Sequence, residues 1–178
     1  MKNQPGQPID IPSFRRCLGQ FPTGVCIVSC IVGGEKLGMT MSSFNSLSLE
    51  PPLVLFSIAQ TAKGLALWER AQSYAINILT ETQQELSNRF ARTGANKWEG
   101  ILCCKGNADA PVLTGTAGVI ECIPYARYDA GDHRLFILEV TSFQAYEDRK
   151  PLIFCGGKYG SLRPTESTAA LWPLDIHY

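Results

Sequence analysis

A chain of 178 residues with 45% hydrophobic content is long enough for one compact domain with a real core, which excludes disordered and fibrous classes. Sixteen basic and sixteen acidic residues cancel, so no large field draws nucleic acid or an anionic membrane surface, and small molecules or protein partners are expected instead. Met1 to Pro8 contains no apolar run and no later stretch nears the ~20 apolar residues of a membrane helix, so a cytoplasmic protein with no membrane span is expected.

Seven cysteines, an odd number without a C-x-x-C pair, fit reduced thiols acting as small buried hydrophobes. With two histidines and no ligand spacing, no metal site is expected. Cys26 and Cys30 lie an even number of positions apart and should share one face of a strand.

In chain order, Asp10 to Leu18 has the spacing of a short helix. Phe14, Cys17, Leu18 and Phe21 keep the i, i+3, i+4, i+7 rhythm, Asp10 or Ser13 can cap the start, Gly19 can end it, and its apolar face is assigned to the core. Val25 to Val32 is β-branched and reads as a buried strand, Gly33 to Lys36 as a turn, and Leu37 to Met41 as an antiparallel return. Pro51-Pro52 bars helix ahead of a strand from Leu53 to Ile58. Ala62 to Arg70 reads as helix with Leu65 and Trp68 toward a sheet, and Tyr74 to Leu79 as an apolar strand interrupted by one amide, Asn77.

Thr80 and Gln83 have capping-box spacing, and Leu86 and Phe90 form the stripe of the helix they open. Thr93 to Asn107 has no periodicity and reads as a loop, exposed or lying over another subunit. Gly115 to Pro124 and Leu135 to Tyr146 are long strands joined by a connection from Tyr125 to Arg134 that turns at Asp129 to Asp132, Pro151 to Cys155 is a last strand, and Gly156 to Gly160 opens a flexible tail. Trp68, Trp98 and Trp172 read as core or interface, not as stacking platforms. Without a linker or repeat, residues 1–178 are expected to form a single domain, mainly β with a few helices and barrel-like rather than doubly wound. No G-x-G-x-x-G, Walker or zinc-peptidase motif is present.

The stretch from Gly38 to Ser57 places a hydroxyl-rich turn between two apolar runs and is followed by Thr61 and Lys63. Hydroxyls and loop amides at one sheet edge can donate to a phosphorylated planar ligand without the desolvation of clustered lysines. Taken alone, Ser42 and Ser43 also fit plain turn formers, Lys63 and Arg89 solvated charges, His133 a surface histidine and Tyr159 a core plug. A buried Asn77 needs partners, which backbone can supply.

The runs Phe14 to Val25, Gly38 to Phe44 and Ser46 to Val54, then Asn77-Ile78-Leu79, Leu86-Ser87 with Phe90-Ala91, and Gly131-Asp132-His133 resemble, in order, the short-chain flavin reductase family, the NAD(P)H:flavin oxidoreductases of two-component monooxygenases. The resemblance covers Phe14 to Tyr159. It implies a split β-barrel of the flavin reductase/FMN-binding type, a homodimer with flavin sites near the subunit interface, FMN or FAD as cofactor, NADH or NADPH as hydride donor, and a flavin-dependent monooxygenase as partner. It assigns Thr40, Ser42 and Ser43 to the flavin ring and ribityl chain, with Met39 and Met41 beside them among the cofactor-binding residues. Ser57, Ile58, Thr61, Ala62 and Lys63 fall to the middle of the flavin and its phosphate. Asn77 lies beneath, Ser87, Arg89 and Phe90 on the phosphate helix, Tyr159 near the ring, and His133 at the catalytic position near the nicotinamide. This chain has Leu138 where the family commonly has glycine.

The chemistry agrees with such a site, because hydride transfer is the cofactor's own and the protein needs mainly to stack two rings about 3 to 3.5 Å apart. Two readings stand beside the reductase: a non-catalytic flavin-binding electron-transfer protein on the same fold, and an oxidase of the pyridoxamine-phosphate type. The Gly-Asp-His motif favours the reductase.

Overall fold

The computed structural model describes residues 6–94 and 96–163. In chain order these form α1 (Ile11–Leu18), β1 (Thr23–Gly24), β2 (Cys26–Val32), β3 (Glu35–Met41), β4 (Asn45–Leu49), β5 (Pro52–Ala59), α2 (Leu65–Arg70), β6 (Tyr74–Ile78), α3 (Gln84–Ala91), β7 (Cys103–Lys105), β8 (Pro111–Leu113), β9 (Gly118–Ala130), β10 (His133–Ala145), β11 (Ile153–Cys155) and β12 (Lys158–Gly160). Trp172 and the segment 164–178 lie outside the described residues.

Seven strands make one antiparallel sheet in the order β3-β2-β6-β9-β10-β5-β4. Laid flat, seven strands would put the two edges about 29 Å apart. Yet the edges β3 and β4 are consecutive in the chain, and the link Ser42-Ser43-Phe44 lets Met41 and Asn45 stand at most about 14 Å apart. The sheet therefore curls, which brings the end of β3 toward the start of β4 without pairing the two edges. This is a barrel split along one seam, as the resemblance implied.

Even-numbered residues of β2 and β5 face inward. Cys26, Val28 and Cys30 meet Val54, Phe56 and Ile58, with Tyr74, Ile76, Phe136 and Leu138 closing the interior. Cys26 and Cys30 do share a face. Phe56 stacks on Phe136 at 4.8 Å between ring centroids, and Trp68 of α2 plugs one end, 3% exposed. Leu138, where glycine is common in the family, is a core side chain beside a bulge between Ile137 and Leu138. A second core lies outside the sheet, where Val25, Ile27 and Leu79 pack against Phe90 of α3, Leu113 and Leu152.

Several local readings hold. Asp10 caps α1, its carboxylate accepting from the Ser13 N–H at 3.0 Å. The Gly33-Gly34 turn has both residues at positive φ, as a tight hairpin requires. Gln83 Oε1 accepts from the Thr80 N–H at 3.0 Å, but the Thr80 hydroxyl pairs with Thr82 instead of returning the bond.

Others need correction. α1 contributes nothing to the core: Ile11, Phe14 and Leu18 are 55, 47 and 57% exposed, because the barrel interior is already filled by the strands and α2. The expected tail at Gly156 is a hairpin, with Gly156 and Gly157 at positive φ folding β12 back on β11. The connection expected from Tyr125 to Arg134 is continuous ladder, and only Gly131-Asp132 turns. The sequence reading passed over β4, β7 and β8, which are short and lack a run of β-branched residues.

Asn77, wholly buried, is the internal tie of this arrangement. Its Nδ2 donates to Ile27 O and Ser29 Oγ, both at 2.9 Å, and its Oδ1 accepts from the Leu113 N–H at 2.8 Å, fastening β8 onto the outer face of β2 and β6. An Asn77→Ala chain should lose about 3 kcal/mol in urea denaturation, since three buried groups lose their partner; a loss under about 0.5 kcal/mol would show that β8 is not held this way.

All seven cysteines are free, and burial pushes the thiols of Cys26, Cys30 and Cys122 up to about 12. A raised thiol stays protonated until the pH approaches that value, so in mildly alkaline buffer the native protein should label at exposed Cys17, Cys104 and Cys155 while these three remain unmodified until denaturant is added.

Candidate functional site

The predicted site residues separate into three places. At the seam, the Ser43 hydroxyl bridges to β5, accepting from the Ser57 N–H and donating to Ser57 O, both at 3.2 Å. This staple substitutes for the missing β3–β4 ladder and leaves Ser43 Oγ one acceptor lone pair. Ser42 beside it is exposed, whereas Met41 and Ile58 point into the core and can meet a ligand only through backbone.

The second place is α3. The Thr40 hydroxyl donates to Ser87 O at 2.6 Å, and Ser87 Oγ, wholly buried, lies 2.8 Å from the Tyr159 hydroxyl. Tyr159 in turn donates to Asn88 Oδ1 at 3.0 Å. Its single proton is thereby used, so the Ser87 hydroxyl is the donor between them. Thr40, Ser87 and Tyr159 thus clamp α3 between β3 and β12. Phe90 is buried and meets Trp98 edge-on at 4.9 Å. Gly38 makes this possible: a Cβ there would stand 2.4 Å from Phe90 and 2.8 Å from Trp98.

The third place is a cleft of about 760 Å³ beside β3. Met39, Thr61, Ala62 and Lys63 line one side, and Arg92, Lys97 and Trp98 from the segment after α3 line the other, with Lys36 at the β3 edge. Among the described residues none of its four cations is ion-paired, and Glu35 is the one acid in the lining. Lys97 donates to Phe90 O at 2.9 Å, a cation on one C-terminal carbonyl of α3, and to Gly38 O of β3 at 3.4 Å, and its partial burial holds its ammonium below the usual lysine range. Arg89 lines an adjoining cleft of about 630 Å³ and fastens the loop by donating to the carbonyls of Asn96 and Glu99.

Two predicted residues stand apart. Asn77 has every polar atom engaged inside the protein. His133 begins β10 opposite Ala59, outside the cleft, with Nδ1 2.7 Å from Asp132 Oδ1. That contact, first by hydrogen bond and then by charge, holds the Asp132 carboxyl below its usual range. The turn is tied to the cleft through Gln60, whose N–H donates to Asp132 O at 2.9 Å and whose side chain reaches Gly131 O at 3.3 Å; Thr61 follows directly.

Sequence reasoning missed Lys36, Arg92, Lys97 and Trp98. The available signal was Arg89, Arg92, Lys97 and Trp98 within ten positions spanning the end of a helix, a cationic and aromatic cluster hidden by the lack of periodicity. Chemically the cleft offers unpaired cations, hydroxyls and flat apolar walls to an anionic aromatic ligand.

Comparison with known proteins agrees with this architecture. The family model described as "Flavin reductase like domain" matches residues 18–163. The reductase subunit HsaB of a flavin-dependent monooxygenase from Rhodococcus jostii is 37% identical over 94% of this chain and 86% of its own length. The FMN reductase (NADH) SmoA of Agrobacterium fabrum is 40% identical over 83% of this chain and 84% of its own. The solved structure of the Streptomyces globisporus NADH:FAD oxidoreductase SgcE6, in complex with NAD and FAD fragments, superposes with a TM-score of 0.85 at 30% identity, covering 93% of this chain and 100% of that one. With the curled antiparallel sheet and the matched span agreeing, this chain belongs to the flavin reductase like domain family.

Proposed function

We propose that the protein is an NAD(P)H-dependent flavin reductase that transfers hydride to FMN or FAD and supplies reduced flavin to a partner monooxygenase. The observation that carries this reading is the cationic cleft opening beside the seam, in a chain whose relatives are named as reductases. The residues fit a flavin: Lys36, Lys63, Arg92 and Lys97 lack acidic partners and suit a phosphate, Met39 and Leu67 suit a flat apolar body, and Ser43 keeps a free acceptor position. When bound, the flavin supplies the hydride-accepting chemistry.

The chain's own part is binding, orientation and exclusion of water. Thr40, Ser42, Ser43 and Ser57 would hold the ring at the seam through hydroxyls and backbone. Thr61, Ala62 and Lys63 would hold the phosphate. His133 would position the nicotinamide from the neighbouring turn, and Arg89 would keep the 96–99 loop in place. Ser87, Phe90 and Tyr159 act one step back, by fixing α3 against β3. Asn77 supports the sheet from the opposite side.

Purified protein mixed with NADH or NADPH and either FMN or FAD should consume the pyridine nucleotide, followed by loss of its absorbance band. No consumption with either flavin would overturn the enzyme reading and leave a non-catalytic flavin carrier.

We also propose a homodimer, in the cytoplasm. No helix of the described residues is long and apolar enough to cross a membrane. Ile11, Phe14 and Leu18 of α1, Leu47 and Leu49 of β4, and Tyr125 and Tyr128 of β9 are exposed, apolar surface that a second copy of the chain would cover. Light scattering should give a dimer mass for the native chain and a monomer mass for a Phe14→Lys, Leu18→Lys double variant; a native monomer would overturn the proposal.

A further inference from the structure

The wall of the cleft carried by the segment after α3 has a role that the seam residues do not explain. Trp98 is half-buried. Phe90 supports it at 4.9 Å and 80°, and Gly38 leaves room for both rings. The indole lines the cleft, and Lys36 Nζ sits over it, 5.7 Å from the ring centroid. A tryptophan serving only as core filler would be covered by apolar atoms. This one is backed by the Phe90 core on one side and carries over its ring the Lys36 ammonium, held otherwise among the described residues only by a 3.4 Å contact to Cys103 Sγ, which an aromatic base can displace.

Charge points the same way. Lys63 lies on one wall of the cleft and Arg92 and Lys97 on the other, all without carboxylate partners among the described residues. A flat aromatic platform set among unpaired cations is the recognition chemistry of a nucleotide: the base stacks and the phosphates meet the cations.

We propose that Trp98 is the base-stacking platform for an adenosine diphosphate moiety, with Lys36 moving off the indole to meet a phosphate as the base arrives. The inference rests on the flavin reductase reading and deepens it. FAD carries this moiety and FMN does not, and the nicotinamide dinucleotides carry it too. Gly38 is the position that permits the platform, because any side chain there displaces Phe90 and Trp98.

The direct test follows the tryptophan indole N–H resonances of the native protein during titration with millimolar ADP, the Trp98 signal being assigned by its loss in Trp98→Phe. The Trp98 resonance should move further than that of Trp68, which borders the same cleft but is only 3% exposed. An unmoved Trp98 signal overturns the platform. Affinities and Michaelis constants then identify the ligand. If the moiety belongs to FAD, Trp98→Ala should weaken FAD about tenfold while Trp98→Phe keeps most of the affinity and FMN is held within about twofold. If it belongs to the pyridine nucleotide, Trp98→Ala should raise KM for NADH about tenfold with FMN as acceptor and leave both flavin affinities unchanged. Neither change overturns the inference while the reductase reading stands. Conversely, failure to consume NADH with any flavin defeats the reductase reading, and the ADP titration still decides the platform.

Discussion

The constraint on which this structure depends is the brevity of one link. Ser42, Ser43 and Phe44 join the two edges of a seven-stranded sheet, and three residues cannot reach across such a sheet unless it curls. Closing the sheet without pairing its edges leaves a seam with unsatisfied backbone, and Ser43 relieves part of it by bonding both the N–H and the carbonyl of Ser57. The hydroxyl-rich turn thus has a structural task before it has a chemical one. The ligand cradle proposed from the sequence is also the closure device of the barrel.

From that closure the rest of the site follows. Curling presents the outer face of β2 and β3 to α3, which fills it with Phe90 and is locked by the contacts of Thr40, Ser87 and Tyr159. The end of α3 then delivers Arg92, Lys97 and Trp98 to the cleft, with Lys97 capping one helix carbonyl. On the other side the Gln60 hydrogen bonds hold the His133 turn against the segment that carries Thr61 and Lys63. The two walls of the cleft therefore belong to elements that are each fixed by backbone-directed bonds, which suits a protein whose task is to hold two flat rings in register while the cofactor supplies the reactivity.

The sequence was legible where local rules and burial agree. β2, β5 and β6 could be read because β-branched and apolar runs between turn residues leave little alternative, and α1 because Asp10, the apolar rhythm and Gly19 mark its ends. The face of α1 was misassigned because periodicity tells which side is apolar and not what covers it. β4 and β8 were illegible because their order comes from partners distant in the chain: β4 from its ladder with β5, and β8 from Asn77 and the adjoining β7. For the proposed site, the family pattern pointed to the seam, Thr61 to Lys63 and the α3 helix without separating residues that line the cleft from those, such as Ser87 and Tyr159, whose hydroxyls serve each other. Trp98 and Lys97 lay in a stretch without periodicity, where position is set by α3 and Gly38.

The central claim is that the curled sheet offers its ligand the seam and the adjoining cationic cleft as one continuous surface. Soaking crystals of the protein with FMN measures this most directly. The account predicts the ring against residues 40–43 and 57–58 with the phosphate within hydrogen-bond reach of Lys63. Density for the ring elsewhere, with the seam and Lys63 untouched at full occupancy, would contradict it.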